Sequence, residues 1–259
     1  MIVCRSTAEL DRMREAGRLV GDVLTELAAN VAPGVSTADL DALAEKRIRR
    51  AGATPAFKGY HGYPASICAS INDEVIHGIP SGRRRLQEGD IVSIDVGVSL
   101  NGYFGDSAIT LPVGRVSEKT AMLLRVTEEA LYKAIERARP GGRVSDIGHV
   151  VQRHIEAHGF SVVREFVGHG IGQQMHEEPQ VPNYGEAGHG PRLAKGMVLA
   201  IEPMVNAGKP AVKVLADGWT AVTKDGSPSA HFEHTVAVTA DEPWILTARE
   251  APVAPRVTQ

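Results

Sequence analysis

The sequence predicts an α+β fold that contains two copies of one structural plan, with helices on the outside and an antiparallel or mixed sheet inside. Three observations support this fold class. Amphipathic helical patterns occur in two pairs, and apolar strand patterns follow each pair. The two pairs match at a constant separation along the chain. An Asn101-Gly102 turn joins two of the strand patterns into a hairpin.

The first pair of helices occupies the beginning of the chain. Ser6 and Glu9 form a capping-box pattern at the start of the first helix, and apolar residues then recur at helical spacing. Pro33-Gly34 ends this pattern. A second helix is predicted from about Thr37 to Ala51, and Gly52 marks its end.

The second pair repeats this arrangement. A long amphipathic stretch from Glu118 to Ala138 ends before Pro140-Gly141, and a shorter helix ends near Gly159. One separation of 107 residues aligns the two pairs and persists into later segments, which indicates an internal duplication with a natural site between its halves. The matches are Pro33-Gly34 with Pro140-Gly141, Asp39-Leu40 with Asp146-Ile147, Leu43 with Val150, Ile48 with Ile155, Gly52 with Gly159, Leu86 with Leu193, Gly89 with Gly196, and Ile94-Asp95 with Ile201-Glu202.

One domain is predicted to span residues 1–250, with its two halves facing each other across a pseudo-twofold axis. Residues 251–259, a segment that contains proline, are predicted to form a flexible tail. The sequence does not determine the oligomeric state, and a monomer is expected.

Composition and charge limit the possible functions. The chain has 259 residues, of which 43% are hydrophobic and 23% charged, as is typical of a globular enzyme. A net charge of −3 gives no reason to expect nucleic acid or a membrane surface as the main partner. No segment is apolar enough for a membrane helix or a signal peptide. Cys4 and Cys68 are too few for a disulfide framework, so a cytoplasmic location is expected.

Four carboxylates lie in segments with the pattern of buried strands. Asp95 belongs to a β-branched segment, and Asp106 follows on the return strand of the Asn101-Gly102 hairpin. With a two-residue turn, residue 97 faces Asp106, and Asp95 is its diagonal neighbour at roughly 7–8 Å. Glu202 occupies the position that matches Asp95 in the second half, and Glu233 lies in an alternating strand pattern over 231–238.

These carboxylates predict a metal centre. Buried carboxylates on one face repel each other and lose solvation, so a cation is expected between them. Any single one of these carboxylates could instead form an ion pair with a lysine or arginine. None of the four strands, however, carries such a residue beside its carboxylate. His169 is the fifth predicted ligand, because its flanking glycines allow close approach of the backbone. The alternatives for this segment are an ordinary polar histidine and a nucleotide-binding loop, although the glycine spacing does not fit the loop.

Oxygen ligands with one imidazole favour two divalent ions such as Co, Mn or Fe(II), and Zn and Ni are further candidates. A water molecule held between two such ions would have a lowered pKa and would attack a carbonyl carbon. The predicted reaction class is therefore metal-assisted hydrolysis.

Five motifs carry a resemblance to a known family: Ser-Ile-Asp-Val-Gly, Gly-Asp-Ser, Gly-His-Gly-Ile-Gly, Ala-Ile-Glu-Pro and Phe-Glu-His-Thr. In type, order and spacing they resemble the methionine aminopeptidases, M24 metallopeptidases with the pita-bread fold. The resemblance runs from the first helix to about residue 247. It implies removal of the initiator methionine from nascent proteins whose second residue is small.

The sequence also resembles one type within that family. Only 32 residues separate His169 from Glu202, which leaves no space for the helical insertion of the type II enzymes. No zinc-binding extension precedes the first helix. A compact type I enzyme of the bacterial kind is therefore expected.

The resemblance implies a ligand set. Asp95, Asp106 and Glu233 would bind one metal ion, and Asp106, His169, Glu202 and Glu233 would bind the other. Asp106 and Glu233 would bridge the two ions. Glu202 would also carry the proton between the attacking water and the leaving amine.

The resemblance also implies substrate contacts. His77 would contact the scissile amide, and His176 would donate a hydrogen bond to the carbonyl oxygen as charge develops there. Tight turns are the alternative for the two His-x-x-Pro segments. The apolar residues of the implied methionine pocket could instead be ordinary core residues. Within this pocket, Met175 stands where many relatives have phenylalanine. The implied pocket residues are Tyr60, Tyr63, Cys68, Met175 and Trp219.

Two other functions are considered. A prolidase or Xaa-Pro aminopeptidase would share the five ligands, but proteins of that kind are typically larger and have an extra N-terminal domain. An inactive relative that only binds proteins would typically lose ligands, whereas this sequence keeps all five and both histidines. The expected partners are the N-termini of nascent polypeptides, and contact with the ribosome is left open.

Overall fold

A computed structural model of the chain describes residues 1–249, so the predicted tail at 251–259 lies outside the described residues. The helices are α1 (Thr7–Ala28), α2 (Thr37–Arg50), α3 (Glu118–Ile135) and α4 (Val144–Ala157), with a short 3-10 helix at Tyr60–Gly62. The strands are β1 (Thr54–Pro55), β2 (Ile67–Ile71), β3 (Glu74–Ile76), β4 (Ile91–Leu100), β5 (Tyr103–Pro112), β6 (Ser161–Val162), β7 (Gly168–Gly170), β8 (Glu177–Val181), β9 (Val198–Ile201), β10 (Met204–Asn206), β11 (Val212–Val214), β12 (Ala221–Thr223), β13 (Ser229–His231), β14 (His234–Ala237) and β15 (Trp244–Ile245).

The predicted helices are present with small differences at their ends. The capping box at the start of α1 is formed, because Ser6 N donates to the Glu9 carboxylate (2.8 Å) and Glu9 N donates to Ser6 Oγ (3.4 Å). Ala51 is the C-terminal cap of α2. The stretch predicted to reach Ala138 is helical only to Ile135, and turns follow it. Within residues 1–249, no helix combines the length and apolar character needed to cross a membrane.

The duplication is visible in the backbone at the separation of 107 residues. Gly34 and Gly141 have φ angles of 90° and 88°, a left-handed conformation that residues with a Cβ rarely adopt. The other equivalent features are α2 with α4, β1 with β6, the isolated bridge Ser36–Arg85 with the bridge Arg143–Arg192, and the hydrogen bond from Gly34 N to Leu86 O (2.8 Å) with that from Gly141 N to Leu193 O (3.0 Å).

The hairpin of β4 and β5 forms the centre of the first half. Asn101 and Gly102 have φ angles of 52° and 81°, so both turn residues are left-handed as a two-residue type I′ turn requires. Gly97 lies opposite Asp106, as predicted, and Asp95 is two residues before Gly97 on the same strand face. Strands β1 and β2 also pair with β4.

The second half holds a five-stranded sheet in the order β15-β14-β9-β7-β8. The prediction of one strand over 231–238 was wrong, because β13 ends at His231, β14 begins at His234, and the two belong to different sheets. The interruption has a physical reason. Glu233 N donates to Ala108 O in the first half (2.9 Å), so this backbone pairs across the molecule at that point.

Strand β5 and the segment 231–235 join the two halves. Asp106 N donates to Thr235 Oγ1 (3.0 Å), and Thr235 Oγ1 donates to Asp106 O (2.7 Å). Thr110 Oγ1 likewise donates to His231 O (2.8 Å). The main hydrophobic core contains residues of both halves, and every strand pair among the described residues is antiparallel. That residues 1–250 form one domain stays a prediction.

Candidate metal centre

The five predicted metal ligands line one cavity of about 490 Å³ where the two halves meet. Asp95 and Asp106 project from β4 and β5, and His169 projects from β7. Glu202 follows β9, and Glu233 lies between β13 and β14. The residues therefore come from five places in the chain and share one cavity.

Three of these residues form a compact group of ligand atoms. One oxygen of Asp106, one oxygen of Glu233 and one nitrogen of His169 all lie within 4.8 Å of one another. His169 Nδ1 is 2.9 Å from Gly170 O, so an Nδ1–H donates to this carbonyl and leaves the lone pair of Nε2 for a metal ion. Nε2 of His169 lies 3.5 Å from Glu202 Oε1. Such a backbone contact on the second ring nitrogen is typical of metal-binding histidines.

The carboxylates have buried oxygen atoms without partners. Asp95 Oδ1, Asp106 Oδ1 and Glu233 Oε1 accept no hydrogen bond from the part of the chain that the structure describes. No lysine or arginine among residues 1–249 forms an ion pair with any of the four carboxylates, and Glu202 has only His169 and His231 (3.8 Å) near it. Buried charges of one sign without a counterion are costly.

The same burial shifts the pKa values of the four carboxylates. Burial raises the pKa of Asp95 to about 7. Burial and the charges of neighbouring carboxylates raise the pKa values of Asp106, Glu202 and Glu233 well above their usual range. A divalent cation would satisfy the unpartnered oxygens and reverse these shifts. Oxygen donors with one imidazole therefore fit a divalent metal centre.

Two more histidines line the same cavity. His176 Nδ1 lies 2.7 Å from the Tyr60 hydroxyl, and the His176 ring centroid is 4.2 Å from that of His169. His77 packs edge-on against Trp219 and Phe166, with ring centroids 6.3 and 5.8 Å away. Burial lowers the pKa of His77 to about 4, so its ring is neutral near pH 7. His77 follows β3 directly with a left-handed backbone (φ 60°), and it lines the cavity.

The five predicted pocket residues lie at the apolar end of this cavity. Tyr63, Cys68 and Met175 pack with Phe57 in a cluster separate from the main core, and Tyr60 and Trp219 pack against that cluster. Tyr63, Cys68 and Met175 are buried, Tyr60 and Trp219 are half-buried, and all five line the cavity. That they bind the methionine side chain stays a prediction.

Cys68 joins the apolar end to the carboxylates. It lies opposite Asp95 in the pairing of β2 with β4, and it is a free cysteine. Burial raises the pKa of its thiol, which is therefore protonated near pH 7. The Tyr63 hydroxyl beside it can donate to Ile67 O (3.1 Å) or Gly78 O (3.0 Å).

The sequence analysis missed five cavity residues: Phe57, His61, Ile76, Phe166 and Val167. Val167 directly precedes the glycine-flanked His169, so that motif offered a signal for it. Ile76 directly precedes His77 and His61 directly follows Tyr60, so these two also had a signal, whereas Phe57 and Phe166 belong to no motif. A Cβ at Gly97 would lie 2.5 Å from the Phe57 ring, so the glycine opposite Asp106 provides the space that Phe57 occupies.

The fold and the metal centre together define a metallopeptidase. A model of metallopeptidase family M24 matches residues 11–240 of the chain. The chain belongs to metallopeptidase family M24.

The similarities within that family are more specific. Methionine aminopeptidase 1 of Bacillus subtilis (strain 168) is 57% identical over 247 residues, which is 95% of this chain and 99% of the relative. The crystal structure of a methionine aminopeptidase from Thermotoga maritima superposes with a TM-score of 0.95 at 46% identity and covers 96% of this chain and 100% of its own. Within M24 this chain is therefore a type I methionine aminopeptidase with the pita-bread fold, as the motifs implied.

The prolidase alternative has weaker support. The prolidase from Pyrococcus horikoshii OT3 superposes with a TM-score of 0.78 at 24% identity, and at this identity the likeness shows the fold alone. The match covers 98% of this chain and 66% of that one.

Proposed function

We propose that this enzyme removes the N-terminal methionine of polypeptides whose second residue is small, with two divalent metal ions in the centre. Asp95, Asp106 and Glu233 would hold one ion. Asp106, His169, Glu202 and Glu233 would hold the other, so that Asp106 and Glu233 bridge the pair. One observation carries the proposal: a single cavity contains all five ligands, both substrate-side histidines and an apolar end.

When bound, the ions would polarise the scissile carbonyl and lower the pKa of a water molecule in the site. Glu202 takes the proton of that water as it attacks and delivers it to the nitrogen of the leaving amine. Glu202 suits this role because its carboxylate lies beside His169 and His231 and forms no ion pair with lysine or arginine among the described residues. The carbon–nitrogen bond breaks, and free methionine and the shortened polypeptide result.

His176 stabilises the carbonyl oxygen as negative charge develops on it. This role requires a hydrogen on Nε2, and the contact of Nδ1 with the Tyr60 hydroxyl (2.7 Å) supports it, because Nδ1 can then accept from that hydroxyl. His77 is neutral near pH 7 because its pKa is about 4, and it contacts the amide of the scissile bond. Tyr60, Tyr63, Cys68, Met175 and Trp219 surround the methionine side chain.

The substrate preference rests on the resemblance to methionine aminopeptidases. Nascent polypeptides are the natural source of N-terminal methionine, and we propose that this enzyme acts on them in the cytoplasm. Nucleic acid and membrane are not expected as partners. The monomeric state stays a prediction, and a contact with the ribosome stays open.

The test compares two substrates with the metal-loaded protein. We expect cleavage of Met-Ala-Ser and little cleavage of Ala-Pro, with activity abolished by a chelator and restored by Mn or Co. A preference for Ala-Pro would favour a prolidase instead. Activity indifferent to the chelator would contradict the metal-dependent reaction.

A further inference from the structure

A second cavity adjoins the metal centre. It has a volume of about 730 Å³ and shares Val167, His169 and His176 with the first cavity. The two spaces therefore meet at the predicted ligand His169 and at His176, the residue proposed to contact the reacting carbonyl. We name the second space the exit groove. Beyond the shared residues it is lined by Arg5, Gln173, Gln174, Glu177, Glu178 and Gln180, together with Met1, Val3 and Gly168.

The lining of the exit groove is rich in side-chain amides. Gln173, Gln174 and Gln180 are all exposed. Arg5 Nη2 donates to both oxygens of Glu177 (2.6 and 2.5 Å), so these two charges neutralise each other. An amide side chain offers one acceptor and two N–H donors, which match the N–H and C=O groups of a peptide main chain. Such a lining can bind a polypeptide without regard to its sequence.

The loop that carries two of these glutamines is held in place. Glu177 Oε1 accepts hydrogen bonds from Gln173 N (2.9 Å) and Gln174 N (3.1 Å) as well as from Arg5. The guanidinium of Arg5 fills the space beside Gly172, where a Cβ would lie 2.2 Å from Arg5 Nη2. A fixed loop loses little conformational entropy when a ligand binds, which favours affinity.

We propose that the exit groove binds the main chain of the polypeptide substrate beyond its second residue. This inference rests on the proposed function, which places the scissile carbonyl near His176, where the two cavities meet. The methionine side chain occupies the first cavity, and the rest of the polypeptide leaves through the second. A tripeptide ends near the shared histidines, whereas a longer peptide reaches Gln174 and Gln180.

The experiment compares two peptide lengths with the Mn-loaded full chain. The substrates are Met-Ala-Ser and a ten-residue peptide that begins with the same three residues. We expect the double variant Gln174→Ala/Gln180→Ala to lower the ratio of kcat/KM for the long peptide to kcat/KM for the tripeptide by about tenfold, because each lost hydrogen bond costs several-fold in binding. Most of this change should appear in KM. Gln87→Ala, at an exposed glutamine that lines neither cavity, is the matched control and should leave the ratio unchanged.

The outcomes separate this inference from the proposed function. An unchanged ratio in the double variant, or an equal loss on both substrates, would overturn the exit groove while Met-Ala-Ser cleavage still supports the proposed function. Equal kcat/KM for both lengths in the unaltered enzyme would also overturn it. Failure of the unaltered metal-loaded enzyme to cleave either peptide would overturn both.

Discussion

The two halves of the molecule present their carboxylates on different kinds of backbone. In the first half, Asp95 and Asp106 lie within β4 and β5, two strands of ten residues each that one tight turn connects. In the second half, Glu202 and Glu233 lie just outside β9 and β14, which have four residues each, and strands β10 to β13 intervene between them. The first half therefore provides a continuous, paired platform, and the second half provides residues at strand ends.

The two halves also differ at the position of His169. The residue 107 positions earlier is Gly62, at the end of the short 3-10 helix, whereas His169 is in the middle of β7. The first half places Tyr60 in that helix, and the Tyr60 hydroxyl reaches His176 of the second half. The duplication thus keeps the helices and paired strands alike, while the chemistry of the site differs where strands end.

The largest loss of activity is expected from a change at Asp106, in the hairpin of β4 and β5. Asp106→Asn should lower kcat/KM for Met-Ala-Ser by about 10³-fold or more, because the carboxylate that would bridge both ions is lost. Metal content per protein, measured by elemental analysis, should fall together with activity. The control Asp22→Asn changes an exposed carboxylate on α1 and should leave both quantities unchanged. An Asp106→Asn enzyme with full activity would contradict the assigned ligand set.

A smaller loss of activity is expected from a change at His176, in the second half. His176→Ala should lower kcat for Met-Ala-Ser by about 10²-fold, because a hydrogen-bond donor to the developing negative charge is lost. Metal content should stay unchanged, in contrast to Asp106→Asn. An unchanged rate would show that His176 has no role at the carbonyl, and a loss of metal would show that it acts as a ligand.

The same contrast explains which features the sequence predicts well. Asp95 and Asp106 were placed correctly because an Asn-Gly turn fixes the register of a hairpin by local backbone chemistry. The 107-residue separation was equally reliable for α4, whose limits match those of α2. A local turn motif suffices for the hairpin, and a repeated sequence pattern suffices for α4.

The surroundings of Glu233 show where such reasoning fails. Alternation predicted one strand over 231–238, but Glu233 N bonds to Ala108 O in the other half instead of continuing a ladder. A hydrogen bond between distant parts of the chain leaves no local pattern. Phe57 was missed for a similar reason, because its ring occupies the space that Gly97 leaves on β4, a distant part of the sequence.

The outer helices allow a test of how each half is packed. Gly17 of α1 lies against the chain near its C-terminal end, and a Cβ there would be 2.3 Å from Leu246 O, whereas the equivalent position in α3 is Leu124. Gly17→Ala should therefore lower the free energy of unfolding by about 1–3 kcal/mol in urea titrations, although alanine favours helices. Gly21→Ala is the matched control, because its Cβ would be 3.2 Å from Ala248 O and needs only a small adjustment. A stabilised Gly17→Ala protein would contradict this close packing.

The smallest effect concerns the stability contributed by His77, in the first half. Burial lowers the pKa of His77 from 6.5 to about 4. Between these values the unfolded chain binds a proton at His77 that the folded protein does not, so this residue makes the metal-free protein less stable as pH falls from 6.5 to 4. The raised pKa of Asp95, about 7, acts in the opposite direction over this whole range, because there the folded protein binds the extra proton.

The comparison with His77→Gln isolates one residue from the other titrating groups. Unfolding by urea at pH 7 and at pH 4.5, with a chelator present, should show that the unaltered protein loses about 1–2 kcal/mol more stability than His77→Gln over this interval. Equal losses in the two proteins would mean that His77 is not buried as a neutral imidazole. A smaller loss in the unaltered protein would mean that its pKa is raised, as expected if its ring faced a carboxylate instead of Trp219 and Phe166.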